Sequence, residues 1–247
     1  MPRFDHDGVE IAYLDEGEGE PIVLIHGFAS NAAVNWVNPG WFATLKGRRV
    51  IALDNRGHGA STKLYDPAAY HSAIMASDVA ALLDHLELGR ADIMGYSMGA
   101  RITAFLALQN PQRVRGAIFG GLGGHMIDGG LPEGVAEALE AASAEAVADP
   151  KARLFRVFAE QTKSDLRALA ACLRGSRQTL TPDEIRAIRV PTLVAVGSLD
   201  MIGGSATELA HLLPMGAALE IPGRDHMTAV GDKVFKQGVL SFLAALR

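Results

Sequence analysis

Four short, predominantly apolar runs recur along the chain with helical segments between them, and this alternation restricts the fold more than any other feature. The runs are Pro21-Ile22-Val23-Leu24-Ile25, Arg49-Val50-Ile51-Ala52-Leu53, Ala91-Asp92-Ile93-Met94 and Pro191-Thr192-Leu193-Val194-Ala195-Val196. A strand with one wet face alternates apolar and polar residues, whereas a continuous run marks a strand covered on both faces. Val114-Arg115-Gly116-Ala117-Ile118-Phe119 and Ala218-Leu219-Glu220-Ile221 are weaker members of the set. Between the runs, residues 77–88 place Val79, Leu82, Leu83 and Leu86 on one helical face and meet Gly89 as a stop. Residues 98–109, ended by Asn110-Pro111, residues 205–213, ended by Pro214, and residues 233–246 read as further helices. Alternating strands and helices imply a mostly parallel sheet with helices on both faces.

Two segments depart from that rhythm. At the start, Phe4 and Val9-Glu10-Ile11-Ala12-Tyr13-Leu14 flank Asp7-Gly8, a pair that tolerates positive φ, so the chain opens with a β-hairpin and then a polar loop over residues 16–20. From residue 123 to 189 no strand pattern occurs. The segment reads as helices, among them residues 133–147 and 151–161 separated by Asp149-Pro150. The expected organisation is a core of residues 1–122 and 190–247 with a helical insertion, 123–189, forming a packing layer or a cap.

Composition narrows the function classes. The 247 residues are 49% hydrophobic and 21% charged, which suits one well-buried α/β unit, and the formal charge is −5. No basic stripe or nucleic-acid module is present, so a nucleic-acid partner has no support. Cys172 stands alone, without an internal disulfide partner or metal-site neighbours, and reads as a packed thiol. No apolar run of membrane-spanning or signal-peptide length occurs, so the expectation is a soluble cytoplasmic protein with no membrane partner.

Gly95-Tyr96-Ser97-Met98-Gly99 lies between a buried strand and a helix. There the pattern G-x-S-x-G makes a tight turn that lifts the serine hydroxyl above the sheet and puts it at a helix N-terminus. A serine needs a base, and of eight histidines His226 is the best placed, on a loop between the last strand and the last helix. His26 and His58 sit in glycine-flanked turns and read as neutral, hydrogen-bonded residues, while His125 opens the helical insertion. Asp200 follows the penultimate strand and falls between Ser97 and His226, as the order Ser, acid, His requires. Asp225 adjoins the histidine and reads as structural; Asp128 is the other possible acid. For a tetrahedral oxyanion, the backbone N–H groups of Phe28 and Met98 are the candidate donors, with their side chains available to line an acyl pocket.

Taken together, His26-Gly27-Phe28, Asp54-Asn55-Arg56-Gly57-His58-Gly59-Ala60-Ser61, the Ser97 turn, Gly197-Ser198-Leu199-Asp200 and Asp225-His226 resemble the α/β-hydrolase superfamily, in its order and over nearly the whole chain. The resemblance implies an eight-stranded, mostly parallel sheet flanked by helices, with the insertion as a helical cap. It further implies a Ser97, Asp200, His226 triad, oxyanion donors at Phe28 and Met98, and a structural role for the Asp54–Ser61 loop. A serine nucleophile suits carbonyl carbon, so the leading expectation is a serine hydrolase of a carboxylic ester or lactone. No cofactor or metal is expected, since no ligand spacing or phosphate-cradling loop is present, and the partner is a small-molecule substrate. Alternatives are a carbon–carbon bond hydrolase of a vinylogous diketone, a cofactor-free perhydrolase and a non-catalytic ligand receptor. Arg153, Arg156 and Arg174 are candidate partners for a dienol carboxylate in the second reading. Substrate identity and oligomeric state are left open by the sequence.

Overall fold

The computed structural model describes residues 1–129 and 133–246; residues 130–132 of the expected insertion and Arg247 lie outside them. Among the described residues eight strands form one sheet: β1 (Arg3–His6), β2 (Val9–Glu16), β3 (Pro21–Ile25), β4 (Arg49–Leu53), β5 (Ala91–Tyr96), β6 (Val114–Gly120), β7 (Thr192–Gly197) and β8 (Gly216–Ile221). Their spatial order is β1-β2-β4-β3-β5-β6-β7-β8. The pairs β1–β2 and β2–β4 are antiparallel, and all others are parallel. The β1–β2 turn places Asp7 at φ 53° and Gly8 at φ 79°, the doubly positive φ that suits the twist of a two-residue hairpin. After β3 the chain moves to β4 on one side and then to β5 on the other. Loops leaving strand ends at such a reversal splay apart and leave a crevice.

The predominantly apolar runs follow from double coverage. Successive strand residues point to opposite faces, so Ile22 and Leu24 join Trp36, Trp41, Phe235 and Val239 on one side. Val23 and Ile25 join Val79, Leu82, Ile102 and Leu106 on the other. Ile22, Val23, Leu24 and Ile25 are all fully buried, each contributing on the order of 1.5–3 kcal/mol relative to exposure. Helices α1 (Trp41–Thr44) and α10 (Lys233–Ala245) supply residues to the first face; α2 (Ser72–His85) and α3 (Met98–Gln109) cover the second. Between β6 and β7 lie α4 (His125–Asp128), α5 (Val135–Glu140), α6 (Pro150–Gln161), α7 (Leu166–Gly175) and α8 (Pro182–Ala187). Leu139, Ala159, Leu169 and Cys172 from this insertion belong to the α2/α3-side cluster, so its packing is continuous with that face of the sheet. Helix α9 (Ala206–Leu212) links β7 to β8.

Three elements differ from the sequence reading. Strand β5 continues through Gly95 and Tyr96, because both keep their ladder partners, Phe119 and Gly120 of β6. Helix α2 is Ser72–His85 rather than 77–88: His71 caps it, its Nδ1 accepting from the Ala73 N–H, and Glu87 leaves the helix at φ 56° before Gly89 is reached. The expected helix over 133–147 is broken. Helix α5 ends at Glu140, Ala141 is extended, and a 3₁₀ turn follows at Ala144–Ala146. Buried Arg156 of α6 explains the break. Its Nη1 donates to the carbonyls of Ala138, Leu139 and Ala141 at 2.9, 3.1 and 2.8 Å, satisfying carbonyls that continued helix would otherwise have paired.

Candidate active site

Ser97 stands between β5 and α3 with φ 54° and ψ −113°, a conformation that costs about 1–3 kcal/mol for a residue with a side chain. Neighbouring bonds hold it there. Its N–H donates to the Gly120 carbonyl at 2.7 Å, and its carbonyl accepts from Ala100 and Arg101 at 2.9 and 3.2 Å. The two motif glycines make the turn possible: a Cβ on Gly95 would fall on the Gly99 backbone, and one on Gly99 would fall on the Ile25 carbonyl.

His226 and Asp200 reach the same point from the loops after β8 and β7. His226 Nε2 lies 3.0 Å from Ser97 Oγ, and Nδ1 lies 2.8 Å from Asp200 Oδ2. An ionised carboxylate only accepts, so Nδ1 carries the proton and Nε2 presents its lone pair to the serine hydroxyl. The other Asp200 oxygen, Oδ1, accepts from the Ile202 and Gly203 N–H groups, both at 2.8 Å. Tyr96, whose role the sequence did not reveal, donates its hydroxyl to the His226 carbonyl at 2.6 Å. Burial foremost, with the negative charge of Asp200, pushes the Tyr96 phenol well above its ordinary range, so it remains a donor. Asp225 instead accepts from Met227 N–H, Thr228 N–H and the Thr228 hydroxyl, which shapes the histidine loop. Asp128 ends α4, is exposed and makes no bond to His226.

The Phe28 loop borders this chain of bonds. Gly27 N–H donates to Asn35 Oδ1 at 3.1 Å, and Ala29 sits at φ 57°. Among the described residues, neither the Phe28 nor the Met98 backbone N–H has a protein acceptor. His26 and His58 lie beneath the loop, fully buried. His26 Nε2 accepts from the Asn55 N–H at 2.9 Å, so its Nδ1–H donates to the Gly27 carbonyl. Burial lowers the pKa of His26 to about 4 and that of His58 to about 3, where the nearby His26 adds to the effect. Both rings are neutral scaffolding. The Asp54–Ser61 turn clamps the region: Asp54 accepts from Ala32 and Ala60 N–H groups at 2.8 Å each, and Arg56 pairs with buried Asp78 at 2.7 and 2.6 Å.

A cavity of about 50 Å³ opens beside Ser97, with Phe28, Met98, Leu122, Leu173, Arg101 and Arg177 in its wall. The arginines singled out in the sequence are engaged elsewhere. Arg153 donates to the Val147 carbonyl, Arg156 caps α5, and Arg174 pairs with Glu140 on the surface. Arg101 carries a sequence signal of its own: it is the one charged residue in an apolar helix, one turn beyond the serine. Cys172 is fully buried, 3.8 Å from Met98 Sδ, and burial pushes its thiol up to about 12. Among the described residues no group of three or more His, Cys, Asp or Glu side chains could hold a metal ion, and no helix is long and apolar enough to cross a membrane.

Comparison with known proteins agrees with this architecture. A family model described as alpha/beta hydrolase fold matches residues 20–126, from β3 through the serine turn into α4. A non-heme chloroperoxidase of Kitasatospora aureofaciens is 28% identical over 96% of this chain and 97% of its own length. The structure of Est816, described as an N-acyl homoserine lactone degrading enzyme, is 28% identical, with TM-score 0.73 over 98% of this chain and 100% of that one. The enol-lactonase of Burkholderia xenovorans LB400, 24% identical, shares the fold with TM-score 0.81 over 98% of this chain and 100% of that one. With the sheet order and the strained serine between β5 and α3, the chain has the α/β-hydrolase fold and is similar in sequence to members of that superfamily.

Proposed function

We propose that this hydrolase cleaves carboxylic esters or lactones through an acyl-enzyme on Ser97. The observation that carries the reading is the unbroken hydrogen-bond chain from Ser97 Oγ through His226 to Asp200, at 3.0 and 2.8 Å. His226 Nε2 takes the hydroxyl proton as Oγ bonds to the substrate carbonyl carbon. Asp200 keeps the imidazole in the required tautomer and balances its charge once it is protonated. The free N–H groups of Phe28 and Met98 receive the oxyanion; a donor in that role is worth roughly 3–4 kcal/mol in the transition state. The protonated His226 then gives its proton to the leaving alkoxide. Water, deprotonated by the same imidazole, releases the acid and restores Ser97. Residues 123–189 serve as the cap that bounds the acyl cavity. No metal or cofactor enters this scheme.

The relative named a non-heme chloroperoxidase favours a second reading, in which hydrogen peroxide replaces water at the acyl-enzyme and yields a peracid. Turnover of 4-nitrophenyl acetate tests the main proposal. An initial burst of nitrophenol matching the enzyme concentration, absent in Ser97→Ala, is expected; equal turnover by both proteins contradicts it. Peracid formation from acetate and peroxide, without ester turnover, selects the second reading.

A further inference from the structure

We propose that the cavity beside Ser97 binds an anionic acyl tail, so that the preferred substrate carries a second carboxylate on the acyl side of its ester or lactone bond. This rests on the acyl-enzyme reading and narrows its substrate class. Arg101 is the central observation. It lies one helical turn after Ser97, and helical side chains lean back toward the N-terminus, so its guanidinium is brought over the nucleophile's end of α3. The side chain is buried to 9% exposure, yet it pairs with no carboxylate among the described residues. Its bonds all go to backbone carbonyls: Met126 and Gln178 from Nη1, and His125 from Nη2 at 3.4 Å. A guanidinium has five N–H donors. Three bonds therefore leave its Nε–H and one Nη2–H unclaimed by the described residues.

The setting is cationic: buried Arg101 shares it with a second, exposed arginine. Arg177 lines the same cavity, and among the described residues no Asp or Glu does. Burial, with the positive charge of Arg177, lowers the Arg101 pKa to about 10, which still leaves it charged at neutral pH. Holding a cation out of water without a counter-charge is costly, and an incoming anion removes that cost while gaining charge-assisted hydrogen bonds. A neutral acyl chain would leave the charge uncompensated. The carbonyl bonds of Arg101 also fasten both ends of the helical insertion to α3, so a purely mechanical role is the competing explanation. The two roles separate by substrate. A clamp, once lost, weakens turnover of every ester, whereas an anion site discriminates between esters.

The test compares mono(4-nitrophenyl) glutarate with 4-nitrophenyl valerate, a neutral ester of equal acyl length. The wild-type protein is expected to favour the glutarate ester in kcat/KM. In Arg177→Gln, and in Arg101→Gln if it folds, the glutarate-to-valerate ratio of kcat/KM falls by roughly 10- to 100-fold, as loss of a charge-assisted contact implies. A wild-type preference for valerate, or a ratio unchanged in the variants, overturns the proposal. Glutarate binding to Ser97→Ala, measured by calorimetry, reads the same site without catalysis. Saturable binding that weakens at least about tenfold in the Arg177→Gln background is expected, and no saturable binding overturns the anion site. Fluorophosphonate labelling of Ser97 in the wild-type protein is independent of the tail, so failure of the acyl-enzyme reading shows there and failure of the anion site in the binding.

Discussion

Ser97 occupies a backbone conformation that few residues with side chains adopt, φ 54° and ψ −113°, and the flanking glycines are what permit it. Its placement was readable because G-x-S-x-G fell between a strand pattern and a helix pattern. Asp200 and His226 were readable for a related reason: each follows a strand in the order the fold requires, and the structure brings both to the serine. Tyr96 and Arg177 were not legible, because their relevance comes from a histidine loop and a cavity wall assembled by distant segments, whereas Arg101 showed locally as a lone charge in an apolar helix. Asp200→Asn should lower kcat by about 10³- to 10⁴-fold, since the amide can present its N–H to Nδ1 and hold the wrong tautomer. Asp128→Asn, at an exposed position, should change kcat less than about twofold. Steady-state rates of the two variants check both, and the reverse order contradicts the Asp200 assignment. A pH effect belongs to His26 and His58. In the folded chain they stay neutral down to about 4 and about 3, whereas in the unfolded chain they bind protons below about pH 6.5. The unfolded state thus holds more protons in that window. Stability should fall with falling pH by on the order of 1.4 kcal/mol per unit for each histidine. Urea midpoints at about pH 7.5 and about pH 5 measure this; equal midpoints contradict it.

Secondary-structure elements were legible where local chemistry set their limits and illegible where distant residues did. Strands β3 and β4 end where their apolar runs end, because both faces of each are buried. Helix α5 stops at Glu140 because Arg156, from another helix, takes its last carbonyls. No window around residue 140 contains that information. Helix α2 closes with the Leu88 N–H on the Leu83 carbonyl at 2.8 Å and the Glu87 N–H on the Asp84 carbonyl at 3.0 Å. These are the two bonds of a Schellman cap, with Glu87 at φ 56° in the place usually held by glycine. Glu87→Gly should therefore stabilise the protein by about 0.5–1 kcal/mol, visible as a rise in the thermal midpoint. A lower midpoint would show that the glutamate makes a compensating interaction in the folded chain.

The molecule as a whole puts its chemistry where the sheet reverses its winding: the Phe28 loop leaves β3 and Ser97 leaves β5, its neighbour. The alternation of strands and helices already implied this layered sheet, but how α4 to α8 lie over it depends on tertiary packing. That packing leaves a cavity of only about 50 Å³ at Ser97. Among neutral 4-nitrophenyl esters, short acyl chains should therefore outperform a decanoyl chain by at least about tenfold in kcat/KM, the factor that about 1.4 kcal/mol supplies. A preference for the long chain would mean that the helical insertion opens well beyond the observed packing. The central claim, that Ser97 is the nucleophile, is tested most directly by treating the folded protein with a fluorophosphonate and weighing it intact. One phosphonyl group per chain, mapped to the Ser97 peptide and lost in Ser97→Ala, is the predicted result. An unlabelled wild-type protein, or equal labelling of Ser97→Ala, would contradict it.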